Sequence, residues 1–309
     1  HDLLIMEGTL RRGISLPLVL GHEIAGEVED IGSKVTSVSI GDRVVCFPSN
    51  PCGICNPCQV GMEDRCQNGH GLGHKTNGGL SEYLNLMESG LYVLPTEYSK
   101  SPIDWSEASI LACPIGVGIQ AMGKIHGTQS SGTVMVTGAT GGLGSHLIQY
   151  VKLLGATVLA ATSSINNLEF LEDLGADYVL DIKDPYFPEV ALGITQDVGV
   201  DLILDTVGSP VFPHLLKCLA YNGTIVALGD VAGQKVDLRL PELIFRNATI
   251  TGSVGVRRES IELAAALVRS KKIRPIIAAR IEWTDIETVP GLLRAKDIRG
   301  RIVLQVNDL

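Results

Sequence analysis

Residues 136–146 read VTGATGGLGSH. Gly138, Gly141, Gly142 and Gly144 crowd a short passage between an apolar, β-branched run (TVMVTG, 133–138) and a segment with helical periodicity (GLGSHLIQYVKLLGA, 142–156). In that segment Leu143, Leu147, Ile148, Val151 and Leu154 share one face, and Gly155 stands where a helix stops. A glycine between strand and helix permits a tight turn (Gly138), and two more let backbone approach a pyrophosphate (Gly141, Gly142). A fourth lets helix and sheet close up (Gly144). The N–H groups and dipole of the helix N-terminus then face the phosphates. A plain strand-to-helix turn has the same composition, so the surroundings have to decide.

Downstream, TVLAAT (157–162), DYVLD (177–181), VDLILDTVG (200–208), TIVALGD (224–230) and ATITGSV (248–254) repeat the short apolar pattern at helix-length intervals. With TVMVTG they make six strands, and the alternation predicts a doubly wound, six-stranded parallel sheet with helices on both faces. In such a sheet the second strand ends at the adenosine ribose, where a carboxylate reads the 2′-hydroxyl of NAD. Here it ends Thr162-Ser163-Ser164, with no carboxylate. The reading leans to NADP. NAD stays open, because Asn166 and Asn167 rather than Arg or Lys follow.

Upstream, residues 16–113 read as short strands broken by Gly and Pro: LPLVLGHEIAGEVEDIG, GDRVVCFP, GGLSEYLNL and GLYVLP. Inside them lies PCGICNPCQVGMEDRC (51–66), whose Cys52, Cys55, Cys58 and Cys66 are spaced C-x2-C-x2-C-x7-C. Four thiolates wrapped by short loops suit a closed tetrahedral zinc site, which stabilises and does no chemistry. Disulfides demand a Cα separation that the first three cysteines do not readily offer. A redox C-x2-C accounts for only two of the four. The expected division is a β-rich catalytic domain over 1–114 with a zinc lobe at 51–67, a dinucleotide-binding domain over 115–255, and a return to the first domain over 256–309.

GHEIAGEVEDIGSKV (21–35) fits G-H-E-x2-G-x5-G-x2-V at every fixed position. With the four-cysteine lobe and the GATGGLG loop, the chain resembles the zinc-containing medium-chain alcohol dehydrogenases over nearly its whole length. The resemblance implies a GroES-like first domain and a catalytic zinc held by a Cys near the N-terminus, by His22, and by a third ligand that falls on Cys113 in ASILACPIGVG. Glu23 would stand beside the metal as an alternating ligand or electrostatic tuner. Asp2 matches the Asp that orients the zinc-bound His. His1 falls where the family has a Ser or Thr that passes the alcohol proton. Arg301 aligns with a basic residue that meets the cofactor phosphates. Asp205 and Val207, in DTVG, are expected near the nicotinamide. If HDLL continues the family's opening motif, the first ligand falls two residues before His1 and the first domain is N-terminally incomplete. The chain is then expected to keep the structural zinc and to hold the catalytic zinc loosely or not at all.

The expected reaction is hydride transfer between NAD(P) and an alcohol, aldehyde or ketone, with zinc as Lewis acid. GGLGSHLIQYVK also fits G-G-x-G-x4-Q-x2-K of the family's quinone and enoyl reductases. This keeps open an NADPH-dependent reductase of activated C=C bonds, quinone-like or acryloyl-CoA-like. A third reading is a nucleotide-binding relic without turnover. The formal net charge of −9 and the lack of a basic stripe argue against nucleic acid. No apolar run approaches the ~20 residues that span a bilayer, and no signal pattern opens the chain. A small-molecule substrate, a cytoplasmic location and, from the resemblance, a homodimer or homotetramer are the remaining expectations.

Overall fold

The computed structural model describes residues 1–95, 103–123, 125, 132–295 and 298–306. It divides into two compact units, one of residues 1–120, 255–295 and 301–309, the other of residues 121–254 and 296–300.

In the first unit, helix α1 (Asp2–Met6) precedes strands β1 (Ala25–Glu27), β2 (Arg43–Cys46) and β3 (Leu91–Val93), which form an antiparallel sheet in that order. Val28, Val38 and Val44 fill a small core beneath it. Helix α2 (Asn56–Gln59) belongs to the cysteine lobe. GGLSEYLNL forms no regular strand. Gly78, Gly79 and Leu80 donate N–H bonds to Val19, Gly21 and Leu20 in that irregular order. A side chain on Gly78 would collide with the Gly21 carbonyl, so the two backbones touch without a ladder register. Helix α3 (Trp105–Ser109) leads into a widened turn over Leu111–Gly116, then helix α4 (Val117–Gly123). The division between units falls inside α4 rather than at 114, because turn and helix run on without a break.

The second unit carries strands β4 (Thr133–Thr137), β5 (Thr157–Thr162), β6 (Tyr178–Asp181), β7 (Val200–Asp205), β8 (Leu219–Ala227) and β9 (Thr249–Gly252). All pair in parallel in the order β6-β5-β4-β7-β8-β9, the doubly wound arrangement. Helices α5 (Gly144–Leu153), α6 (Leu168–Asp173), α7 (Phe187–Ile194), α8 (Phe212–Cys218) and α9 (Leu240–Arg246) fill the crossovers. Met135, Leu159, Ile203 and Ile225 supply sheet residues to a core closed by Phe187 and Leu215. Such fully apolar strand centres are what a sheet covered on both faces requires.

After Gly255, helix α10 (Arg258–Arg269), strand β10 (Ile277–Glu282), helix α11 (Val289–Arg294) and strand β11 (Arg301–Gln305) belong to the first unit, with β10 and β11 parallel. Residues 296–300 group instead with the second unit: Gly300 donates its N–H to the Thr140 carbonyl at 3.0 Å, beside the glycine loop. The return at 256–309 is thus interrupted. Among the described residues no helix is long and apolar enough to cross a membrane.

Candidate active site and metal centres

The cysteine lobe is shaped by its turns. Gly53 has φ +72°, and a Cβ there would press on Ser89 at 2.8 Å. Cys55 stands at the N-terminus of α2, whose first turn contains Pro57. Cys66 follows a short helical turn over Glu63–Arg65. The four Sγ atoms lie within 4.8 Å of one another, with Cys55–Cys58 at 3.4 Å and Cys55–Cys66 at 3.8 Å. Ligands ~2.3 Å from one tetrahedral ion stand about 3.8 Å apart, whereas a disulfide needs about 2.05 Å. None of the seven cysteines is bridged. The donor set fits zinc. Amide donors from Ile54 and Cys55 pull the Cys52 thiol down to about 6. Burial, with Cys55 and Cys66 beside it, pushes Cys58 up to about 12. Four crowded thiols cannot all ionise without a cation among them. Asp64, its side chain 2% exposed, anchors the lobe by accepting from Arg257 Nε at 2.7 Å, just before α10.

The second cluster starts from Gly21, whose φ of +90° and close approach to Leu80 admit no side chain. It sets His22 so that Nε2 lies 3.6 Å from Cys113 Sγ and 3.8 Å from Glu23 Oε1. Cys113 is delivered by the widened turn, where Ile115 N–H reaches back to Ile110 O and Pro114 has no N–H to offer. Such turns are common at functional sites. On the other side of the ring, Nδ1 faces Asp2 Oδ1 at 3.6 Å; both atoms are buried and have no hydrogen-bond partner. Three donors of imidazole, thiolate and carboxylate type within 4.8 Å fit a zinc ion.

The electrostatics agree. Burial pulls the His22 imidazole down, but Asp2, Cys113 and Glu23 outweigh it and raise it to about 10. Burial opposes ionisation of Glu23, yet the Arg301 guanidinium and His22 hold its carboxyl below the usual range. Three negative or polar groups thus converge on the imidazole, the electrostatic setting that favours a cation there. Arg301 grips Glu23 with a two-pronged contact, Nε to Oε2 at 2.9 Å and Nη2 to Oε1 at 2.8 Å. Besides the family position that relates it to cofactor phosphates, Arg301 thus has a partner within the zinc-ligand cluster. The His1 ring lies 4.8 Å from that of His22 and 5.5 Å from that of His74. His74 carries no sequence signal; only the folded loop brings it in.

In the second unit the glycines form a cradle. Side chains on Gly138 and Gly144 would collide with the Thr206 hydroxyl and the Gly138 carbonyl, and one on Gly141 would sit 3.2 Å from the same carbonyl. Gly138 needs its φ of +60°. Gly142 is buried and Leu143 half-buried at the entry to α5. His146, 1% exposed, contacts the Gly142 carbonyl through Nδ1 at 2.6 Å and so braces the entry to α5. Thr162 is buried, with Oγ1 accepting the Ser164 N–H at 3.2 Å, while Ser163 is exposed. This cradle fits a pyrophosphate. Asp205, expected at the cofactor, is instead 0% exposed and turned to the Val207 and Gly208 amides at 3.1 Å. It acts on the loops from within.

Two family models match the chain. The alcohol dehydrogenase GroES-like domain model matches residues 1–96, and the zinc-binding dehydrogenase model matches residues 142–270. An acryloyl-coenzyme A reductase of Sulfurisphaera tokodaii is 31% identical over 99% of this chain and 88% of its own length. An NAD-dependent alcohol dehydrogenase of Sulfolobus acidocaldarius is 33% identical over 99% of this chain and 88% of its own. The chain belongs to the zinc-containing medium-chain alcohol dehydrogenase/reductase family. It is an oxidoreductase with a dinucleotide-binding fold. A crystal structure of an NAD-dependent alcohol dehydrogenase superposes with a TM-score of 0.85 at 27% identity, covering 99% of this chain and 88% of that one. The GHE and four-cysteine motifs fall within the matched GroES-like part.

Proposed function

We propose that the protein is a zinc-dependent, NADP(H)-preferring dehydrogenase that interconverts an alcohol with its aldehyde or ketone. The observation that carries the reading is the convergence of His22, Cys113 and Glu23, with Asp2 behind the imidazole. A zinc ion held by His22, Cys113 and Glu23 would supply Lewis-acid polarisation of a substrate oxygen. Asp2, facing Nδ1, holds the imidazole so that Nε2 is directed at Cys113 and Glu23. Arg301 keeps Glu23 ionised and fixes its orientation. His1, exposed beside His22, can exchange a proton with solvent. Gly138, Gly141, Gly142 and Gly144 would bind the pyrophosphate, with Thr162, Ser163 and Ser164 toward the ribose. Asp181 stands beside Thr162 in register, and its Oδ1 accepts the Lys183 N–H at 2.9 Å.

A second reading is favoured by the acryloyl-coenzyme A reductases among the relatives: reduction of an activated C=C bond by NADPH. One assay separates the two. NADPH oxidation is followed with an aldehyde and ketone panel and with an enone and enoyl-CoA panel, beside zinc analysis of the same sample. Turnover confined to the second panel would replace the first reading with the second.

A further inference from the structure

The turn after β7 is tied to the glycine loop by the side chains of Thr137, Asp205 and Thr206, the first two fully buried. Thr137 and Asp205, each 0% exposed, end β4 and β7, the neighbouring strands at which the sheet order reverses. The Thr137 hydroxyl donates to Asp205 Oδ1 at 2.5 Å and accepts the Thr206 N–H at 3.0 Å. Thr206 Oγ1 donates back to the Thr137 carbonyl at 2.8 Å. Asp205 Oδ1 also takes the Val207 and Gly208 amides, at 3.1 Å each, while Oδ2 is buried without a partner. Gly138 rests against Thr206 so closely that a side chain there would collide with its hydroxyl. One carboxylate oxygen thus collects donors from both sides of the crevice. A half-satisfied buried carboxylate costs stability. What it provides is geometry.

In a doubly wound sheet each half binds one mononucleotide, and the crevice between them lies at the reversal of strand order. Here β4 to β6 form one half and β7 to β9 the other. A ligand that spans both halves binds well only if they are already spaced for it, because fixing the spacing on binding subtracts from affinity. We propose that Thr137 and Asp205 are positioning residues that hold the glycine loop and the 205–208 turn at one separation, so that both halves of a dinucleotide are gripped at once. The inference rests on the dinucleotide reading of this unit and adds to it residues that never meet the ligand.

The test is fluorescence titration of NADPH and NADH beside the adenine half alone (ADP or its 2′-phosphorylated counterpart), on the full chain. Thr137→Val keeps the shape and removes the hydroxyl. It removes both hydrogen bonds of that hydroxyl and is expected to weaken the preferred dinucleotide about tenfold while leaving the adenine half within about twofold. Thr137→Ser keeps the hydroxyl and is expected to stay within about threefold of wild type for both. If Thr137→Val does not fold, Thr206→Val, at a half-buried position, is expected to show the same pattern at about threefold. A role confined to stability would weaken both ligands alike and follow the melting temperature. Equal losses, or no loss for either ligand, overturn the proposal. Failure of the wild type to bind any dinucleotide would sink the reading on which the proposal stands.

Discussion

Glu23 and Arg301 form an ion pair in which the side chains are 15% and 31% exposed. Arg301→Met strands a mostly buried carboxylate, and breaking a fully buried pair costs about 3–5 kcal/mol. With Arg301 nearly a third exposed, about 2 kcal/mol is expected in urea unfolding at neutral pH. Because the Glu23 carboxyl is held below its usual range, the pair's contribution is present above the unfolded value of about 4.3 and disappears as pH falls through the folded one. The difference between wild type and variant should therefore shrink in acid, and a difference that grew there would contradict the assignment. The absent carboxylate at the end of β5 makes a second prediction. NADPH should bind more tightly than NADH, and Ser163→Asp should shift the ratio of affinities toward NADH by about tenfold. Side-by-side titrations decide, and an unchanged ratio places the ribose elsewhere.

At the level of elements, the lobe at 51–66 makes a stoichiometric prediction. One zinc per chain should resist dialysis at this site, and its removal by a chelator should expose four thiols to a colorimetric reagent. Backbone amides lower the Cys52 thiol while burial and the neighbouring thiols raise Cys58, so the four thiols do not all ionise together until a cation joins them. Reloading zinc in weak buffer should therefore release protons; a lobe that takes up zinc with no acidification has a different ligand set. Cys58→Ser should abolish retention. Elements whose physics is local were legible in the sequence: six β-branched runs between helical periods, a glycine loop, a cysteine spacing. Elements made by contact were not. GGLSEYLNL has strand composition, yet Gly78 against Gly21 replaces ladder with backbone touch. Cys113 could be named from its motif, but the widened turn that aims it needs Pro114 and a tertiary setting. His74 and the buried side of Asp205 exist only after folding, and Arg301 could be matched to a family position without showing that it grips Glu23.

At the scale of the whole molecule, the end of the six-stranded sheet is the feature that bears on assembly. β9 is its last strand, and none of the described residues pairs with its outer edge. Close by in the chain, α9 has no buried residue and exposes Leu240 (60%), Ile244 (68%) and Phe245 (81%), and Val254 follows β9 at 75%. An unpaired edge beside large apolar side chains invites association, and proteins normally cover or charge such edges. A second copy is the simplest cover, because a two-fold axis lets the same edge and helix meet themselves in one closed interface. We therefore expect a dimer, or a tetramer built from it, at micromolar concentration by sedimentation velocity. Phe245→Asp places a charge in the apolar face without touching the zinc ligands or the glycine loop. It should give monomers that keep the structural zinc and the far-ultraviolet circular dichroism of wild type. A wild type that sediments as a monomer at every concentration would remove this expectation. A Phe245→Asp variant that stays dimeric would move the interface to another face.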